Sequence, residues 1–285
     1  MIGRVAVGLF FLLLVWGNLV AGMEAGLGCP DWPLCHGRVV PPAKLDTWME
    51  FGHRLIAAAA TVSLLMLARD RFRRYRGATR AVPVAALALV AVEIVLGGLV
   101  VLLELPTDLT TVHFAIGLSV FLLVCLMAAR DGAPDVPSFS ARGHAGLFLG
   151  VGALLFFQLV LGAFVRHSDS GLACTDFPTC AGHWIPPVSS GKPFIQFLHR
   201  LAGFLVFLTT AAVWAMSRAD ERLERFRSPA LALMLLCLFQ VAVGAAVALS
   251  HLVPAVTALH LAMALAMMLA AGRMWMLAAD RPGGR

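Results

Sequence analysis

Eight stretches of this sequence, at about 5–22, 48–68, 81–103, 109–129, 143–165, 193–216, 229–250 and 255–277, are each apolar over roughly the 20 residues that a helix needs to cross a bilayer. Such a chain has few options. Backbone polar groups inside hydrocarbon must be satisfied within their own segment, so each run reads as a transmembrane helix and the fold as an all-α integral membrane protein. Of the 285 residues 60% are hydrophobic and only 13% charged, which excludes a water-soluble globule. The net charge of +6 is no nucleic-acid footprint, because the basic residues sit in short connections and not on one continuous face; no nucleic acid partner is expected.

An even number of spans puts both termini on one side. Arg69, Arg71, Arg73, Arg74, Arg76 and Arg80 crowd the connection 69–80, and Arg218, Arg222, Arg225 and Arg227 the connection 217–228. Cations favour the cytoplasmic face, so these loops, the 130–142 connection and both termini are expected there. Loops 23–47 and 166–192 hold few cations and all the clustered cysteine, and are expected on the extracytoplasmic side of a multi-pass cell-membrane protein. The first run follows Arg4 and ends in small residues, as a signal peptide would, but its length and its counterpart later in the chain predict a retained helix.

The chain also repeats itself. GLGCPDWPLCHG at 26–37 aligns with GLACTDFPTCAG at 171–182, an offset of 145, and Pro41-Pro42 with Pro186-Pro187. His53-Arg54-Leu55 meets His199-Arg200-Leu201 at 146, while Gly97 meets Gly244 and His113 meets His260 at 147. Four spans separate the copies, so they run the same way through the membrane: two tandem, parallel-repeat four-helix bundles. The predicted organisation is an N-terminal half at 1–130, a cytoplasmic linker at 131–142 and a C-terminal half at 143–285.

Four of the nine histidines belong to the repeat, and each falls about four to seven residues inside a helix that starts on the outer side. At ~1.5 Å per residue, His53, His113, His199 and His260 share a depth of roughly 7–10 Å. Two imidazoles per half at one level suit the axial ligands of a haem iron held in a bundle core. Buried histidines bonded to neighbouring helices are the plain alternative. Zinc would want four close nitrogen or sulfur ligands, and each half offers two. Arg54 and Arg200, each beside a candidate ligand, suit haem propionates near the water boundary, or snorkelling to lipid phosphates. His36, His144, His167, His183 and His251 read as solvated or interfacial.

Cys29 and Cys35, and Cys174 and Cys180, form two C-x5-C pairs that would oxidise outside the cytoplasm, either as structural staples or as an exposed redox pair. Cys125 and Cys237 fall inside spans and read as packing residues. Where the halves differ, Glu50 stands three residues before His53 while Gln196 stands before His199, and Glu93 contrasts with Gln240. Residues three apart share a helix face, so a carboxyl group accompanies the first histidine pair and an amide the second. Glu50 then serves chemistry in the N-terminal half, or simply pairs with Arg54 one turn on.

The EFGHR run at 50–54, the LHR at 198–200, the CPDWPLC and CTDFPTC loops, and the VH and LH histidines at 113 and 260 together make the chain resemble the haem A synthase family, in its bacterial eight-helix form related to the mitochondrial cytochrome oxidase assembly enzyme. The resemblance covers essentially the whole chain. It implies oxidation of the C8 methyl of haem O, the substrate, to the formyl group of haem A, by way of an alcohol. It also implies that His199 and His260 carry a resident haem b cofactor, that His53 and His113 face the substrate porphyrin, and that Glu50 matters for turnover. Some relatives lack one or both cysteine pairs. Partners that fit this picture are the lipid bilayer, a quinone and the haem O synthase (prenyltransferase) that makes the insoluble substrate, with room for a homo-oligomer. A di-haem b-type electron-transfer or quinol-oxidising cytochrome is the rival reading, and a membrane thiol oxidoreductase a second.

Overall fold

The computed structural model describes residues 1–129, 140–180 and 182–279. Its long helices are α1 (Ile2–Gly22), α2 (Leu45–Arg74), α3 (Ala81–Leu102), α4 (Thr107–Ala128), α5 (Gly143–His167), α6 (Lys192–Ala219), α7 (Arg227–Leu249) and α8 (Pro254–Ala279). All eight are long and apolar enough to cross a membrane. Among the described residues there is no strand, only isolated bridges joining Cys35 to Arg38 and Cys180 to His183.

Two compact units divide the chain, Met1–Val136 and Pro137–Arg285. Most of the expected linker at 131–142 lies outside the described residues. Of its last residues, Ser140 accepts a hydrogen bond through its carbonyl from Trp275 Nε1 at 3.1 Å. In the first unit α1 packs against α2 and α4, and α3 against the same two, so the helices close into a ring in chain order. α5 to α8 form a ring of the same connectivity in the second.

Helices α2 and α6 outrun their apolar stretches. Arg69, Arg71, Arg73 and Arg74 lie on the last turns of α2, not in a loop, and Arg218 lies on α6. Cations there face the negative end of the helix dipole, so charge ends the hydropathy signal without ending the helix. Arg71 is only 2% exposed: it pairs with Asp70, and its Nε donates to Met127 O at 2.9 Å, which ties α2 to the end of α4. Three-residue-per-turn helices at Gly77–Arg80 and Glu221–Phe226 then reverse the chain.

Apolar side chains fill each ring and also cover its outside. Phe121 and Leu118 are fully buried in the first unit, as Phe148 and Leu265 are in the second. Phe204 and Phe239 are 54% and 57% exposed, the kind of surface that lipid covers and water would not tolerate in such density. At one end of each unit the cysteine loop meets the turn that follows the third helix. A Cβ on Gly26 would lie 3.2 Å from Leu105 in the first unit, and one on Gly171 3.0 Å from Leu252 in the second.

Candidate functional site

Each repeated histidine stands in the second or third turn of its helix, at the end of its unit that carries the cysteine loop. The preceding helix turns a glycine towards each ring: Gly17 towards His53, Gly97 towards His113, Gly162 towards His199 and Gly244 towards His260. A Cβ on these glycines would lie 3.0, 3.2, 2.9 and 3.0 Å from the respective imidazole Cε1. The missing side chains are the space in which the rings sit. Gly17 and Gly162 share the 145-residue offset of the cysteine loops, a signal available in the sequence but easily lost among the many glycines of apolar helices.

The Nδ1 atoms of His53, His113 and His260 are buried without a hydrogen bond, and His199 Nδ1 has the Gln158 amide 3.1 Å away. With Nδ1 sealed against a neighbouring helix, Nε2 is the nitrogen left for a ligand. The rings of His199 and His260 lie 6.5 Å apart, centre to centre, with their planes at 71°. An iron held between two imidazoles needs about 2 Å to each nitrogen and about 1 Å more to each ring centre, or about 6 Å in all. The spacing of His199 and His260 in the second unit therefore fits a bis-histidine haem. His53 and Glu50 each lie within electrostatic range of His113. No group of three or more His, Cys, Asp or Glu side chains gathers as a metal site among the described residues.

Around the ligand candidates the two arginines turn to the loops. Arg54 Nη1 donates to Asp31 O and Leu34 O, both at 2.8 Å, and Nη2 to Cys29 O at 2.9 Å. Its Nε donates to Glu50 Oε1 at 3.1 Å, so the Glu50–Arg54 ion pair forms across one turn with both groups largely buried. Arg200 donates to Thr179 O and to Cys174 O and lies 5.7 Å above the Phe177 ring. Both guanidinium groups thus hold the cysteine loops from positions beside the histidines.

Cys29 is bonded to Cys35 and Cys174 to Cys180, with Cα atoms 4.7 and 4.6 Å apart. Asp31 closes the first loop by accepting from His36 N and Gly37 N, each at 2.6 Å. The Gly37 amide, helped by that of His36 and by the charge of Arg54, holds the Asp31 carboxyl below the usual carboxylate range, against a desolvation that works the other way. His36 is exposed and also braces the loop, its Nε2 lying 2.9 Å from Gly28 O. Gln196, the counterpart of Glu50, accepts from Cys174 N at 2.6 Å and donates to Gly171 O at 2.9 Å.

Two further contacts distinguish the units. Glu93 Oε1 lies 3.1 Å from His113 Nδ1, in ion-pair range but off the angle of a hydrogen bond. Gln240, at the equivalent sequence position, instead donates to His260 O at 2.8 Å. Gln158 escaped the sequence reading because its counterpart is the apolar Leu13, and no repeat marks it.

Residues 2–271 match the model of the cytochrome oxidase assembly protein family. The chain is similar to the haem A synthase of Halalkalibacterium halodurans, 33% identical over 218 residues that cover 73% of this chain and 72% of the relative. The haem A synthases of Bacillus licheniformis and Symbiobacterium thermophilum are each 31% identical, covering 84% and 85% of this chain and 82% of each relative.

Proposed function

The chain belongs to the cytochrome oxidase assembly protein family, and from that premise we propose that it is a haem A synthase, oxidising the C8 methyl of haem O to a formyl group. The observation that carries the reading is the facing of His199 and His260 at 6.5 Å, a span suited to an iron between them. A haem b held there supplies one-electron exchange, with a quinone as the electron partner that suits a membrane enzyme.

In the first unit His53 and His113 bind and orient the substrate haem O, each ring fixed by its glycine. Glu50, the buried carboxylate closest in sequence to these ligands, stabilises positive charge or takes a proton at the reacting edge through Oε2, while Oε1 stays on Arg54. Arg54 and Arg200 hold the cysteine loops over the ligand end of each unit. Those loops face the extracytoplasmic side and the arginine-rich ends of α2 and α6 face the cytoplasm, as the charge distribution favours. The matching glycine and histidine contacts support descent of the two units from one duplicated four-helix bundle.

Extraction and chromatography of porphyrins from membranes of a haem O-producing host tests this. Haem A should appear when the chain is expressed and give way to haem O when His53 is replaced by alanine. Two permanently bound haem b groups with no haem A would overturn the assignment in favour of an electron-transfer cytochrome.

A further inference from the structure

The two units place different chemistry behind their ligand candidates, and one small residue accompanies the difference each time. Beside His113 the side chain is Glu93, whose Oε1 lies 3.1 Å from Nδ1. The room for it comes from Gly117, one turn after His113 on α4, where a Cβ would lie only 2.7 Å from that same oxygen. Beside His199 the side chain is Gln158, with Nε2 3.1 Å from Nδ1 and 3.0 Å from the His199 carbonyl oxygen. Gly203, one turn after His199 on α6, makes room here too, with a Cβ position 3.2 Å from Gln158 Nε2. The other two histidines have alanine at the same step, Ala57 after His53 and Ala264 after His260, and their Nδ1 atoms, like that of His113, make no hydrogen bond. Glycine one turn on thus goes with a polar side-chain atom 3.1 Å from Nδ1, at His113 in ion-pair range only.

We propose that Glu93 is a positioning residue that acts through His113, fixing the proton of that ring on Nδ1 and giving the iron site of the first unit an anionic backing, whereas Gln158 gives the second unit a neutral one. This rests on the haem-ligand reading of the histidines. A carboxylate can only accept, so a ring facing it carries its proton on Nδ1 and presents a bare Nε2 to iron. The negative charge also makes the imidazole a stronger donor, which favours the ferric state of the bound iron. An amide holds the ring without that charge. Gln158, whose Nε2 also donates to His199 O, is uncharged whichever end of its amide meets the ring, so it adds no negative charge behind His199. A site that must stabilise oxidised states of its porphyrin is thereby set apart from one that passes electrons.

Spectroelectrochemical titration of the purified full chain, loaded with haemin, tests the assignment. Glu93→Gln should move the midpoint of one haem component to higher potential and leave the other unchanged. Gly117→Ala, which keeps the charge but drives the carboxylate off His113, should move the same component in the same direction, while Ala264→Gly should move neither. Unchanged midpoints in Glu93→Gln, or equal shifts of both components, would overturn the proposal while leaving the haem-ligand reading intact. Should Glu93→Gln take up no haem, Glu93→Asp must regain it, and failure of both variants would also overturn the proposal. Wild-type chain that binds no haemin would instead remove the reading on which it rests.

Discussion

The Cα of Gly162 on α5 faces the imidazole of His199 on α6 so closely that a Cβ there would lie 2.9 Å from Cε1. Side chains do not make such contacts without something shifting, and the neighbour that would have to shift is the proposed iron ligand itself. Gly162→Val should therefore cost the purified protein most of its bound haem while leaving it folded. Gly150→Val, on the same helix with nothing within 4 Å of its Cβ position, should retain it. The Soret absorbance per protein measures both.

Glu50 carries the clearest chemical contrast between the units, being buried and paired at 3.1 Å with Arg54. Glu50→Gln keeps the size and an acceptor oxygen but removes the charge. Haem should still bind, and the extracted pigments should shift from haem A towards haem O and its partially oxidised alcohol. Normal haem A from this variant would take Glu50 out of the chemistry.

Removing Arg54 strips three backbone carbonyls and one carboxylate of their donor. Loss of one partner from a buried ion pair costs about 3–5 kcal/mol, and with Arg54 partly exposed the lower end applies. Arg54→Ala should lower the thermal midpoint by several degrees and quicken reduction of the Cys29–Cys35 bond by a mild thiol. Arg54→Lys cannot satisfy four acceptors and should recover only part of that loss.

Gln196 uses both ends of its amide, accepting from Cys174 N and donating to Gly171 O. A carboxylate at this place would set an acceptor against the Gly171 carbonyl. Gln196→Glu should thus destabilise the second unit by about 2 kcal/mol, the scale of one buried acceptor left without a donor, and should not create a second oxidising half. Thermal melts and pigment analysis of the variant check the two statements separately.

Asp31 supplies a pH dependence with a definite sign. Its folded carboxyl titrates below its ordinary value because the Gly37 and His36 amides donate to the ionised form. The resulting stabilisation is present above the unfolded value, about 3.9, and disappears as pH falls through the folded one. Protease nicking of the first cysteine loop should increase as the pH is taken below about 4, and Asp31→Asn should be nicked more readily at neutral pH and show less of this increase.

The spans and the four histidines were legible because hydrocarbon penalises polar groups: an imidazole inside an apolar run stands out, and its recurrence at a fixed offset stands out further. The ends of α2 and α6 were not, since arginines that cap a helix electrostatically look like loop in a hydropathy profile. The loop contacts of Arg54 and Arg200 were not legible either. The carbonyls that occupy Arg54 come from residues more than a dozen places upstream, and only the folded loop brings them near. Gln158 was invisible for the opposite reason: it is the polar member of a pair whose partner, Leu13, is ordinary.

His53 and Arg54 are consecutive, so the imidazole and the guanidinium that grips the cysteine loop hang from one shared peptide plane. The cysteine loop of the first unit is thus moored to the membrane-spanning helix at the residue directly after the candidate ligand, one covalent step away from it.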